Sequence, residues 1–275
     1  MALTASIVYF SGDMAEISFC LNELSKMDIF QSLILVDNSP TGIAYQKFKT
    51  TKNVFAIRCS FNPGYGTAHN IAFRLAETLG ATRHLVLNSD VKFISEDLLK
   101  LIAHLDANPQ TGLVVPAILS SDFSRQYTAK LLPNLITMFV RAFLKKTNFG
   151  KEALHAFELR DLYSLKTFFA PYVSGCFMLF DLARVNSIGG FDERIFMYAE
   201  DIDISRRMSA VSDVTVLTDV EIVHYHGEAT RKSWRMFMIH TVNLLYYFVK
   251  YGCFFDRERD QLNKKCRAQF KGLQG

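Results

Sequence analysis

The 275-residue chain reads as an α/β protein: a central, mostly parallel sheet flanked by helices, followed by a C-terminal helical extension. Three observations carry that expectation. Short, continuously apolar runs alternate with segments of helical spacing through the first half, the pattern of βαβ units whose sheet is covered on both faces. Turn-forming and acidic residues collect at the carboxyl ends of those runs, where open α/β sheets take their ligands. The final segment is aromatic, helical in spacing and ends in a basic tail.

The elements follow in order. Residues 6–10 are a short β-rich run and 16–27 a helix. Residues 32–36 are an apolar strand that stops at the turn cluster Asp37-Asn38-Ser39-Pro40. Residues 54–59 are the third strand, 67–79 a helix, and 84–87 the fourth strand, which ends at Asn88-Ser89-Asp90. Ser95 is expected to cap the next helix, with Leu98, Leu99, Ile102 and Leu105 on its inner face. Residues 113–115 are a fifth strand. Residues 120–169 mix basic and aromatic side chains without a clean period and read as an insertion or lid. Residues 172–180 return as a strand with Gly175 inside it, 214–217 and 220–224 as two short strands, and a long helix follows. The expected division is one domain over 1–230, with a ligand-binding half at about 1–118 and a catalytic half at about 119–230, then a helical extension over 231–275.

At 49% hydrophobic residues the chain can bury a full core. Its net charge of +4 favours anionic ligands or lipid head groups. No dense Lys/Arg block with interleaved aromatics is present, which argues against a nucleic-acid partner. The five cysteines are odd in number and widely spaced, without CxxC or finger spacing, as expected of reduced thiols in a cytoplasmic protein. The N-terminal residues read as a first strand rather than a signal peptide. The aromatic stretch 234–255 is broken by Arg235, His240, Asn243 and Lys250, so a spanning helix is not expected. Three readings stay open for it: a helix packed on the core, a face shared with a second copy, or an amphipathic helix on a membrane surface. In the last, Arg257, Arg259, Lys264, Lys265, Arg267 and Lys271 would lie near lipid heads.

The chemistry concentrates after Gly189-Gly190. Glu200, Asp201 and Asp203 fall within four positions, and carboxylates so close need a helix N-terminus, arginines or a cation to offset them. Asp203 can reach Arg206 or Arg207 along a helix. That leaves Glu200 and Asp201, either of which can act as a general base. Asn88-Ser89-Asp90 is a turn cap or a strand-end ligand for Mg²⁺ or Mn²⁺. Asn62-Pro63-Gly64-Tyr65-Gly66-Thr67-Ala68-His69-Asn70 is a glycine loop entering a helix, a place that favours phosphate, yet it matches neither the Walker nor the Rossmann fingerprint. His224 and His226 share one face at a strand end and are each available to a metal.

The ordered set of these motifs, with Asp37-Asn38-Ser39 before them, resembles the family 2 glycosyltransferases of GT-A fold, and within them the bacterial rhamnosyltransferase-like branch that builds O-antigen and other surface polysaccharides. The resemblance covers residues 6–251. It implies that Asp37 contacts the nucleotide base and that Asn62, Gly64, Tyr65, Gly66 and Asn70 line the nucleotide. Phe10 and Ser11 stand where the family's first strand ends in Tyr-Asn or Thr-Asn. Asn88, Ser89 and Asp90 match the DxD-type motif, with Asn88 in place of the first acid. Asp201, with Glu200 beside it, matches the catalytic base. His224 matches a histidine that completes the metal site, with His226 as its rival. Gly175 and Gly190 fall where the sugar pocket is expected.

The implied reaction is an inverting transfer that needs a divalent cation, Mg²⁺ or Mn²⁺. The donor is dTDP-L-rhamnose, with UDP-galactofuranose or a UDP-hexose as alternatives. The acceptor is linked to polyprenyl diphosphate or is a polysaccharide. The implied location is cytoplasmic, at the inner face of the membrane in the peripheral reading. A nucleotidyltransferase of similar architecture is the rival, but Phe10-Ser11-Gly12-Asp13 lacks the basic glycine loop such enzymes carry at the first strand.

Overall fold

The computed structural model describes residues 2–225 and 234–270. The chain enters through β1 (Leu3–Tyr9), α1 (Met14–Lys26), β2 (Ser32–Asp37), a short α2 (Ile43–Phe48), β3 (Val54–Arg58), α3 (Tyr65–Thr78) and β4 (Arg83–Leu87). A two-residue β5 (Val91–Lys92) and α4 (Ser95–Ala107) lead to β6 (Thr111–Leu119) and β7 (Arg125–Gln126). The insertion holds α5 (Leu135–Phe139), a π-helical turn (Val140–Leu144), α6 (Asn148–Phe157), a 3-10 turn (Arg160–Ser164) and β8 (Thr167–Phe169). Then come β9 (Phe177–Asp181), α7 (Leu182–Ser187), α8 (Glu200–Val211), β10 (Asp213–His224), α9 (Trp234–Tyr251) and α10 (Arg257–Ala268).

Among the described residues the strands form one sheet in the order β3-β2-β1-β4-β9-β6-β10-β5, with β7 on β6 and β8 on β10. The expected parallel half is present, since β1 pairs in parallel with β2 and β4, and β2 with β3. The sheet as a whole is mixed, because β9 enters antiparallel between β4 and β6. That arrangement brings residues just before β9 alongside the end of β4, where Asn88 N–H donates to the Cys176 carbonyl at 2.9 Å.

The two faces of the sheet carry separate cores. Leu3, Ala5 and Ile7 of β1 alternate toward the face covered by α1 and α4. The other face of β1 is polar: Thr4 Oγ1 lies 2.7 Å from His84 Nδ1, and Ser6 Oγ lies 2.7 Å from both His84 Nε2 and His69 Nδ1. Burial pushes the His84 imidazole down to about 3 and His69 well below its usual value, so both are neutral and serve as hydrogen-bonding struts. α3 can lie close to this face because Ala68, Ala72 and Ala76 present only methyl groups to it. Tyr247, Phe248, Leu262 and Cys266 from α9 and α10 join the same core as α8.

Several local expectations change. Ser95 is the first helical residue rather than the cap, and Ile94 holds the cap position. Leu101, not Leu99, faces inward; Leu99 is exposed. Gly175 precedes the strand that starts at Phe177. The two short strands near the end of the sheet are one, β10, interrupted by an irregularity. Between the pairs Leu217–Pro116 and Glu221–Ala117, β10 advances four residues while β6 advances one. The aromatic stretch from Trp234 ends its helix at Tyr251, and a second helix begins at Arg257, capped by Asp256.

Arg206 on α8 is only 2% exposed. Its guanidinium meets Asp256 in a two-pronged pair at 2.6 Å, reaches Glu258 and lies 3.8 Å from the Tyr251 ring centroid. Replacing Arg206 by Ala strands Asp256 as a buried, uncompensated charge. A loss of about 3–5 kcal/mol in urea unfolding is expected, against a much smaller loss for Arg194→Ala, whose guanidinium pairs with Asp192 at the exposed surface.

Candidate active site

The acidic segment begins on a constrained turn. Tyr198 and Ala199 both take left-handed backbone angles, with φ of 65° and 73°. Such residues cost of order 1–3 kcal/mol each and persist only where their surroundings hold them. Here Asn243 of α9 donates to the Met197 carbonyl at 2.7 Å, and Tyr65 N–H donates to the Phe196 carbonyl at 3.0 Å. Gly64 makes the second contact possible: its φ is 97°, and a Cβ there would sit 2.3 Å from the Phe196 oxygen. The glycine loop and the acidic helix are thus pressed together.

α8 then starts at Glu200, and the three acids separate by role. Asp203 is fully buried and neutralised by Arg207, Lys250 and the Tyr251 hydroxyl. Of the two arginines proposed for it, Arg207 is the partner, while Arg206 serves Asp256. Glu200 and Asp201 receive no such cations at contact distance among the described residues. Burial and the charge of Asp201 raise the Glu200 carboxyl, and its Oε2 has no hydrogen-bond partner among the described residues. Burial also raises Asp201, opposed by the Ile202 N–H at 2.9 Å and by the charge of Lys130. Burial in turn draws the Lys130 ammonium down to about 8. The Tyr172 hydroxyl is raised well above its usual value by burial and by the charge of Asp201. The α8 N-terminus favours the ionised form of both acids.

Gly175 lies against Asp201: a Cβ built there would be 3.4 Å from the Asp201 Cβ. The Tyr65 hydroxyl lies 2.9 Å from the Gly175 carbonyl and 3.1 Å from Asn88 Oδ1. Tyr65 therefore bridges the acidic helix to the end of β4. Its hydroxyl is held well above the usual tyrosine value by burial and by the charges of Glu200, Asp201 and Asp90. Burial pushes the Cys176 thiol up to about 12, with the charges of both Asp90 and Asp201 adding to it. Two buried groups thus sense both carboxylates, so Asp90 and Asp201 each lie near Tyr65 and Cys176.

Asp90 Oδ1 lies 3.2 Å from His224 Nε2. β5 sets this spacing by pairing His224 with Val91, while Tyr225 N–H donates to the Asp90 carbonyl. Ser89 donates to Glu16 of α1. Two ligands held side by side on one small cation are about 3 Å apart, so the carboxylate and the imidazole suit a shared Mg²⁺ or Mn²⁺. No group of three His, Cys, Asp or Glu side chains is close enough to hold a metal among the described residues. The protein would supply two donors and leave the other positions to phosphate oxygens. His226 lies outside the described residues.

Other expected site residues do different work. Asp37 is fully buried, and its carboxylate accepts from the Ser39 and Tyr45 N–H groups, both at 2.8 Å, so it shapes the turn after β2 rather than facing open space. Asn62 Oδ1 accepts from Gly64 N–H and lies 3.2 Å from Asn38 Nδ2, which orders the glycine loop. Asn70 does not line a cleft. Its amide donates to the Phe191 carbonyl and accepts from Phe191 N–H, clamping the segment after Gly190 to α3. Gly190 (φ 68°) belongs to this clamp, because a Cβ would lie 2.3 Å from Asn70 Oδ1. Gly66 lets Phe191 pack on α3. Phe10 and Ser11 are exposed at the carboxyl end of β1. A cavity of about 700 Å³ opens between α1 and the segment that carries β5. Its wall includes Ser89 and Asp90 but neither Glu200 nor Asp201. Lys130 and Tyr172 escaped the sequence reading because they stand in stretches without motif character.

No protein-family model matches the chain. An N-acetylglucosaminyl-diphospho-decaprenol L-rhamnosyltransferase of Mycobacterium tuberculosis is 27% identical over 220 residues, 74% of this chain and 69% of that protein. Among solved structures, S. aureus TarS 1-349 in complex with UDP-GlcNAc matches 96% of this chain and 70% of its own, with a TM-score of 0.60 at 16% identity. GalNAc-T7 with UDP, GalNAc and Mn²⁺ matches with a TM-score of 0.60 at 12% identity, covering 82% of this chain. The chain spans only 44% of that last protein. The fold is that of the GT-A glycosyltransferases, and the chain is a glycosyltransferase whose sequence similarity lies with the L-rhamnosyltransferases.

With Asp201 as the base, burial should set the rising limb of transfer with pH above the ordinary carboxylate range. Lys130→Met removes the charge that opposes this and should shift the limb to higher pH, read from kcat/KM for nucleoside diphosphate release between pH 5 and 9 (about four decades of proton activity).

Proposed function

We propose that the chain transfers L-rhamnose from dTDP-L-rhamnose, with inversion, to an acceptor carried on polyprenyl diphosphate. The observation that carries this reading is the Tyr65 hydroxyl, which joins the Gly175 carbonyl beside Asp201 to Asn88, two residues before Asp90. The likeness to the mycobacterial rhamnosyltransferase supports the choice of sugar and acceptor. A UDP-sugar such as UDP-galactofuranose or a UDP-hexose is the alternative donor.

The donor lies along the carboxyl ends of β1 and β4. Its base rests near Phe10 and Ser11, and its diphosphate points toward Asp90. Asp90 and His224 would hold the divalent cation, which would supply positive charge to the leaving diphosphate. The acceptor hydroxyl enters beside Gly175, where the missing side chain leaves room next to Asp201. Asp201 takes the hydroxyl proton as the new bond forms on the sugar face opposite the nucleotide. The Ile202 N–H fixes the carboxylate's orientation, and Lys130 offsets the burial that would otherwise keep it protonated.

Asp201→Asn is expected to fold and bind dTDP with ordinary affinity yet lose transfer by about 10²–10⁴-fold. Full activity in that variant removes Asp201 as the base. Chelation with EDTA, or Asp90→Asn, should abolish or sharply weaken dTDP-rhamnose turnover, and Mn²⁺ should restore it in the chelated wild type. A panel of dTDP- and UDP-sugars read by nucleoside diphosphate release tests the donor.

A further inference from the structure

We infer that α5, the π-helical turn after it and α9 together form a face that docks on an anionic lipid bilayer. Ile136, Phe139 and Phe143 follow one another by three and four positions, so they share one stripe of α5 and the turn, and all are exposed, Phe143 at 73%. On α9, Trp234, Met238, Val242, Leu245 and Val249 follow a similar rhythm and are also exposed, Val249 at 79%. The opposite side of α9 is spent on the fold, with Asn243, Tyr247 and Phe248 buried. Apolar area of this extent in water is unfavourable and marks a contact surface. The turn and α9 come near enough for the Arg141 guanidinium to add to burial in lowering the His240 imidazole.

The charge pattern selects the occupant. No Asp or Glu occurs between Asp122 and Glu152, or between Glu228 and Asp256, in a chain that carries 27 acids. Arg141, Lys145, Lys146, Lys151 and Arg235 instead border the apolar stripes. Apolar side chains ringed by cations fit a surface with anionic head groups over hydrocarbon. A second copy fits poorly, because a two-fold contact would bring together two faces of the same positive charge. No described helix is long and apolar enough to cross a membrane, so the face would lie on the bilayer. Through Asn243 it would sit beside Met197, three residues from Glu200, at the lip of the acidic helix. Docking of this face is independent of which sugar the site transfers.

The test is flotation of the full chain with phosphatidylcholine vesicles, with and without phosphatidylglycerol. The expected result is binding to the anionic vesicles that weakens with salt. Phe139→Ser with Phe143→Ser, and separately Lys145→Glu with Lys146→Glu, should each lower it roughly tenfold or more, while thermal melting and dTDP binding in solution stay unchanged. Absence of binding to anionic vesicles overturns the proposal, as does binding that both double variants leave intact. A dimer in sedimentation that the Phe139/Phe143 variant converts to monomer, without vesicle binding by the wild type, assigns the face to self-association and also overturns it.

Discussion

Neutralisation of α8 along its flank is the condition for the acids at its start. Asp203, Arg206 and Arg207 are buried or nearly so, and each finds an opposite charge or hydroxyl on α9, the α9–α10 connection or its own helix. These pairs tie the C-terminal helices to α8 and leave the helix no freedom to slide or rotate. Burying charges is costly, and their mutual attraction repays it only when the geometry is good. What the arrangement secures is position. Glu200 and Asp201 project from the one end of α8 where no guanidinium or ammonium stands at contact distance among the described residues. A helix less firmly held would relax by turning those two carboxylates toward water.

The active arrangement is assembled from segments distant in sequence, and glycines decide how closely they approach. Gly64 admits the Phe196 carbonyl, Gly190 admits the Asn70 amide, and Gly175 leaves a gap beside Asp201. The first two close contacts bind loop to helix, whereas the third faces a reactive group. Strain at Tyr198 and Ala199 is held from both sides, by the glycine loop and by α9. A buried carboxyl with raised proton affinity, beside a second acid and near a weakened ammonium, is therefore a product of tertiary packing rather than of α8 alone.

The sequence made the parallel half of the sheet legible because each strand there is a continuous apolar run closed by turn residues. Asp90, Asp201 and His224 stood out because each stands in a recognisable cluster, and the fold brings Asp90 and His224 together. Asp37 and Asn70 show the limit of that approach. Both belong to motifs, yet each spends its polar atoms on backbone groups, and residue type does not distinguish a side chain that braces a loop from one that meets a ligand. Lys130 and Tyr172 lay hidden for the opposite reason. They occupy irregular chain, and only the antiparallel entry of β9 and the bridge between Lys130 and Tyr172 bring them to Asp201. The antiparallel strand was unreadable because an apolar run carries no direction.

The irregularity in β10 bears on His224. Side chains alternate along a strand, so an odd number of extra residues exchanges the two faces for everything downstream, and an even number leaves them as they were. Residues 218–220 are the extra ones. Parity thus governs which way the imidazole points. Descendants of this chain can lengthen or shorten that kink by pairs and keep His224 turned to Asp90, whereas a single insertion or deletion would reverse it while the sheet on either side stayed paired.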